Sequence, residues 1–168
     1  MKVLFYRRSE GAADAVSPPQ TAARVWRPAE HGWPPPGPRR LQNLVWWAFT
    51  ALGLFPRRDF AEVSLWREGR LLHRLIVTPR WWRFPFMARD DLQIGDLWTD
   101  PDFRGQGFAR AAIAEAHRRF PDRFWYVVGV DNAASIRLIE SCGYRLVGQG
   151  RRTRPLGVGA VGRFLLET

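Results

Sequence analysis

Six residues, Arg104-Gly105-Gln106-Gly107-Phe108-Ala109, stand between a β-rich segment and an alanine-rich run with helical spacing. Two glycines one residue apart leave main-chain N–H groups uncovered where a helix begins. The helix dipole there favours an anion by about 1 kcal/mol. Arg104 can add a charged fork for the same anion. The chemistry open to this pattern is close capture of a phosphate by the backbone; the alternative is a tight turn whose glycines serve packing alone. It is not a Walker loop, because no Gly-Lys-Ser/Thr follows. The dinucleotide pattern Gly-x-Gly-x-x-Gly fails at Arg110.

The elements that must position this loop can be read on either side of it. "LQIGDLW" before it reads as a strand, and Ala109, Ile113, Ala116 and Phe120 after it share one helical face, with Pro121 as the stop. Phe124 to Val130 is an almost continuous apolar strand of the kind buried on both faces. A second helix is predicted to open at Asn132, turn Ile136 and Ile139 inward and end at Gly143. "YRLVGQG" and "VGRFLLE" read as closing strands. Upstream, "KVLFYRR" and "ARVWRPAE" read as strands around a loop from Ser9 to Thr21, and a stiff Pro-rich connector, "HGWPPPGPRR", follows. Leu41 to Phe55 is then expected to be a buried or interfacial helix with Arg39, Arg40, Arg57 and Arg58 at its ends. Two β runs around Glu68-Gly69 read as a hairpin, and "WWRFPFM" as an aromatic loop. The expected fold is a mixed α/β sheet of about seven strands flanked by helices. A parallel crossover runs through the helix of Gly107 to Phe120.

A chain of 168 residues fits one domain, expected over residues 1–168. The single cysteine, Cys142, excludes a disulfide framework and an all-cysteine metal site; it reads as a packed core thiol, and no metal is expected. The opening "MKVLFYRRSE" is too poor in apolar residues for a secretory signal, and the apolar run from Leu44 to Phe55 is shorter than the roughly 20 residues needed to span a bilayer. A cytoplasmic setting follows as the expectation, with the inner membrane face compatible with it. The formal charge of +10 points to an acidic partner: a phosphorylated cofactor or sugar, an anionic membrane or nucleic acid. Arginines spread through every segment, with Lys2 the only lysine, speak against a dedicated nucleic-acid face.

"RGQGFA" matches Arg-x-x-Gly-x-Ala, and some thirty residues later "VDNAASIRLIESCGY" has an Asn opening a helix that ends in Gly-Tyr. These two motifs, in this order, resemble those of the GNAT family of N-acetyltransferases over Leu92 to Gly148, about a third of the chain. The resemblance implies a single GNAT-like domain in which a splayed strand pair holds acetyl-CoA or a longer acyl-CoA. It implies that the amides of Arg104, Gly105, Gln106, Gly107, Phe108 and Ala109 hold the pyrophosphate. The backbone of Leu97, Trp98 and Thr99 would pair with the pantetheine arm, one of its N–H groups polarising the thioester carbonyl. Asn132 and Ser135 would lie near the pantetheine and the thiol, and Asn132 reads equally as a helix N-cap.

Direct attack by an amine needs a neutral nucleophile, an oxyanion donor and a proton for the departing thiolate. Where many members have a tyrosine as that acid, four residues before the glycine that ends the helix, this chain has Ile139. Tyr144 is the nearest replacement in sequence. The candidate bases are Asp96, in the strand before the acyl site, and His73, in the preceding β run. The tryptophan-rich front of the chain suits sugar rings or a membrane interface. It bears a looser similarity to small acetyltransferases of bacterial surface-polysaccharide pathways. The expected acceptor is therefore the amine of a nucleotide- or lipid-linked amino sugar, and the alternative is that these tryptophans fill a core. A peptide or small-molecule amine, and a non-catalytic module binding an anionic surface, are the competing readings. A peripheral membrane contact and a homodimer are compatible with the pattern.

Overall fold

The computed structural model describes residues 1–9, 21–34, 40–121, 123–153 and 162–167. Its eight strands are β1 (Lys2–Arg8), β2 (Ala22–Trp26), β3 (Ala61–Arg67), β4 (Arg70–Pro79), β5 (Leu92–Thr99), β6 (Phe124–Gly129), β7 (Tyr144–Arg152) and β8 (Phe164–Glu167). They form one sheet in the order β2-β3-β4-β5-β6-β1-β7-β8. Every neighbouring pair is antiparallel except β5 and β6. That one parallel pair is joined by α3 (Phe108–Arg119), the crossover expected from the sequence. The other helices are α1 (Pro28–His31), α2 (Arg40–Ala51) and α4 (Ala133–Ser141).

The sheet of about seven strands expected has eight, the short edge strands β2 and β8 both pairing. Two boundaries differ from expectation, each for a local reason. "ARVWRPAE" leaves the sheet after Trp26: Pro28 has the fixed φ that suits the first position of a helical turn. Helix α2 stops at Ala51 instead of Phe55. Gly53, at φ +67°, takes the left-handed conformation while its N–H bonds Thr50 O and that of Leu54 bonds Phe49 O. This paired closure satisfies the last carbonyls and turns the chain away. Most of the loop expected at Ser9 to Thr21, and residues 35–39 of the Pro-rich connector, lie outside the described residues.

Alternation along β6 shows how the sheet separates two cores. Phe124, Tyr126 and Val128 join the core under α3 and α4, with Ile113, Ala116, Ile139 and Cys142. Trp125 joins the core on the opposite face, with Phe5, Trp26, Phe60, Trp81 and Phe84. On that second side Trp46 of α2 stacks on Phe60 at 5.3 Å and meets Trp81 edge-on at 5.6 Å. Much of the aromatic content that suggested a sugar-binding wall is thus spent on packing. Among the described residues no helix is long and apolar enough to cross a membrane.

Candidate active site

The site is built where β5 and β6 part. Parallel pairing runs through Leu92 with Phe124, Gln93 with Trp125 and Ile94 with Tyr126. Beyond that rung β5 stays on β4 while β6 stays on β1, Val3 facing Gly129. The divergence is driven by a bulge in β5. Ile76 of β4 faces Gly95 and Arg74 faces Trp98, so Asp96 and Leu97 are accommodated against one residue of β4. Asp96 has φ +50°, a left-handed conformation that aspartate tolerates better than most side chains. Leu97 to Thr99 are therefore held by β4 on one edge, and among the described residues no strand pairs with the other. A free, rigid row of N–H and C=O groups of this kind can take an extended ligand as an added strand.

The strand runs directly into the glycine loop. Asp100 caps a 3-10 turn over Pro101–Phe103 by accepting from Asp102 N at 3.1 Å. Arg70 clamps that turn, donating to Asp100 at 2.9 Å and to Asp102 at 2.6 Å while lying over the Phe103 ring. Gly105 and Gly107 then have φ of +76° and +83°. A Cβ at either would meet no atom within 4 Å, so these glycines are required by conformation and leave open space outside the backbone. No side chain caps α3 at Gly107, and its first turn carries no acid. The first-turn amides are left for an external anion. Arg104, Gly105, Gln106 and Gly107 are exposed and Ala109 is half-buried. Phe108 is buried against Phe103, so only its backbone can serve this site.

On the other side of the fork, Asn132 caps α4, its Oδ1 accepting from Ser135 N at 3.1 Å. The Ser135 side chain also lies close enough to the Tyr126 phenol to influence it. Tyr126 sits on the last parallel rung, at the vertex of the fork, and is a residue the sequence reading missed. It gave no signal there, being one aromatic in an apolar strand. Burial pushes its pKa up; the nearby Ser135 side chain opposes this, and Cys142 adds to the rise. Ile139 is completely buried and has no proton to give.

Asp96 lies toward α2. Its carboxylate accepts from Gln42 Nε2 at 3.0 Å and from the buried Arg74 at 3.4 Å. The glycine loop opens onto α3 and Asp96 reaches toward α2, so a donor on one face could meet an acceptor from the other through the fork. His73 is brought near by register, facing Thr99, with Nδ1 2.8 Å from Thr99 Oγ1. It is fully buried, and desolvation together with the Arg74 charge pushes its pKa down to about 3. Such an imidazole is too weak a base to take a proton near neutrality. Tyr144 is not brought to the fork. It is buried, bonded to His117 Nε2 at 2.8 Å. His117 packs on Phe124, at the start of β6 and near the far end of α3 from the glycine loop, roughly 13 Å along the helix by its rise per residue.

The depressed His73 pKa has a consequence for stability. The unfolded chain binds a proton at about 6.5 where the folded one resists it down to about 3, so the folded state loses ground as pH falls through that window. While this group alone titrates the slope is about 1.4 kcal/mol per pH unit. Denaturant melts of parent and His73→Gln between these pH values are expected to converge on acidification. Parallel curves would show that His73 does not set the slope.

The comparisons agree with this architecture. The model of the acetyltransferase (GNAT) family matches residues 21–144, well over half of the chain. The chain belongs to the GNAT family. No curated protein matches it significantly. Among solved structures it is similar to a GNAT acetyltransferase from Colwellia psychrerythraea, with a TM-score of 0.57 and 14% identity over 88% of this chain and 53% of that one. It is similar also to one assigned to the family from Novosphingobium aromaticivorans, with a TM-score of 0.55 and 18% identity over 88% of this chain and 61% of that one. An aminoglycoside N-acetyltransferase in complex with CoA has a TM-score of 0.51 and 12% identity, over 74% and 91% of the two chains. The chain thus spans less than two thirds of the length of the first two, and at these identities the likeness shows the fold alone.

Proposed function

We propose that this GNAT domain transfers the acetyl group of acetyl-CoA to a primary amine by direct attack within a ternary complex. The observation that carries the reading is the free edge of Leu97, Trp98 and Thr99 running without a break into the left-handed Gly105 and Gly107 at an uncapped helix start. An extended arm ending in a pyrophosphate matches both parts. The amides from Arg104 to Ala109, with the Arg104 guanidinium, hold the phosphates. The β5 edge holds the pantetheine, and one of its N–H groups faces the thioester oxygen as charge develops there. Asn132 and Ser135 line the opposite side.

Proton traffic then divides between the two faces of the fork. Asp96 receives or orients the acceptor's ammonium, a role that His73, buried and neutral, does not suit. The lone pair of the neutral amine attacks the carbonyl carbon, the C–S bond breaks, and the thiolate takes the Tyr126 phenol proton. The phenolate regains a proton from the acidified nitrogen by way of solvent. The acceptor we favour is an amino sugar carried on a nucleotide or a lipid. Its charged carrier suits a domain of +10 better than a basic peptide does.

The test is a CoA-release screen over amino sugars, nucleotide-linked amino sugars, polyamines and peptides, run beside thermal melts with acetyl-CoA. At a hundredfold excess over the dissociation constant the ligand should add about 2.7 kcal/mol of stability. A melting temperature that ignores acetyl-CoA overturns the donor assignment. A shift without turnover on any amine leaves a binding module in place of an enzyme.

A further inference from the structure

Helix α2 carries an apolar stripe on the face it turns away from the sheet. Leu41, Val45 and Leu52 are 82%, 51% and 73% exposed. At 100° per residue they fall within about 40° of one another around the helix axis. Leu52 still follows the helix, since its N–H bonds Ala48 O. The opposite side holds the buried Asn43 and Thr50, with Asn43 donating to Glu62 of β3. The stripe is therefore a surplus of exposed leucine and valine on a helix already anchored by its inner side.

Its surroundings favour one partner. Helix α2 contains no acidic residue; exposed Arg40 opens it, and exposed Arg58, seven residues past its end, lies on its flank beside Trp47 and Ala51. Past its C-terminus, Leu54 and Trp82, each largely exposed, line a cavity of about 400 Å³ with Arg80 and Arg163. Trp33, also exposed, stacks on Trp47 of the helix at 4.7 Å. Leucines between arginines, edged by tryptophan, match the boundary between acyl chains and anionic headgroups. Two copies meeting antiparallel along this stripe would instead bring the Arg40 end of one against the Arg58 end of the other, without a carboxylate in α2 to neutralise them.

We propose that α2 lies on an anionic membrane surface, with Leu41, Val45 and Leu52 entering the headgroup boundary and Arg40 and Arg58 meeting lipid phosphates at either end. Through Gln42, which bonds Asp96, the same helix borders the acceptor side of the fork. Docking thus holds that side at the bilayer and suits an amine carried on a lipid. This corollary rests on the function proposed above, whereas docking itself does not.

Co-sedimentation of the full chain with vesicles of phosphatidylcholine, with and without phosphatidylglycerol, tests it. Pelleting is expected with the anionic vesicles and should weaken as salt is raised. Leu41→Ser, Val45→Ser and Leu52→Ser combined should lower vesicle affinity at least about tenfold, and Arg40→Gln with Arg58→Gln should lower it too. All five side chains are exposed, so the variants should melt like the parent. Leu146→Ser, an exposed position on β7, should bind as the parent does. No pelleting, or equal pelleting of the triple variant, overturns the proposal. A dimer in light scattering that the triple variant dissolves also overturns it and gives the stripe to a second copy. CoA release over the full screen of amines is read in parallel. Retained release without vesicle binding sinks the docking alone, and vesicle binding without release from any amine sinks only the enzymatic reading.

Discussion

Gly107→Val is expected to weaken acetyl-CoA binding by about a hundredfold or more while the protein still folds. The glycine stands at φ +83°, where a β-branched residue is strained by about 1–3 kcal/mol. A Cβ there meets nothing within 4 Å, so no clash forces the fold apart, and the strain can relax by turning the local peptides. That relaxation re-aims the first-turn amides of α3, and the new methyl groups occupy space that the phosphates need. Charge-assisted hydrogen bonds are worth about 1.5–3 kcal/mol each, so losing two of them accounts for the hundredfold effect. Isothermal titration with acetyl-CoA, alongside denaturant melts, reads both quantities. Binding preserved in a folded Gly107→Val variant would remove the loop from the donor site.

The second large effect concerns the missing family tyrosine. Tyr126→Phe is expected to lower kcat by about a hundredfold, the lower range for loss of a general acid, with little change in KM for acetyl-CoA. Phenylalanine keeps the packing beneath α4, so the variant should fold as the parent does. A purely structural tyrosine would reduce turnover of every thioester alike. A proton donor matters less as the leaving thiol becomes more acidic, so the deficit should narrow with an acetyl thioester of such a thiol. An unchanged kcat, or a deficit indifferent to the leaving group, would return Tyr126 to the core. Because burial pushes the phenol pKa up, the parent should keep this donor to higher pH than an ordinary tyrosine would.

The parts of the site that were legible in the chain are those whose causes lie within a few residues. Gly105 and Gly107 announce positive φ, Asn132 announces a helix start three residues from the N–H it caps, and the apolar run of β6 announces burial on both faces. The crossover between β5 and β6 follows from such signals, since a strand, a helix and an apolar strand in succession have few ways to pack. The Trp-rich front was ambiguous for the opposite reason. Trp81 packs into the core and Trp82 is 42% exposed, yet the two are neighbours in one Trp-Trp pair.

The sequence by itself determined a glycine turn opening a helix on a mixed α/β sheet, because dihedral preference, capping and alternation act over one to four residues. Only the tertiary structure decided the neighbours of each titratable side chain. His73 lost its basicity to a buried position beside Arg74. Tyr144 was tied to His117, thirteen or so ångströms along α3 by the helical rise, while Tyr126 came to the vertex with Ser135. Asp96 acquired Arg74 and Gln42 from elements 22 and 54 residues away. Proton affinity depends on the dielectric and charge within a few ångströms of the titrating atom, and those neighbours are chosen by packing.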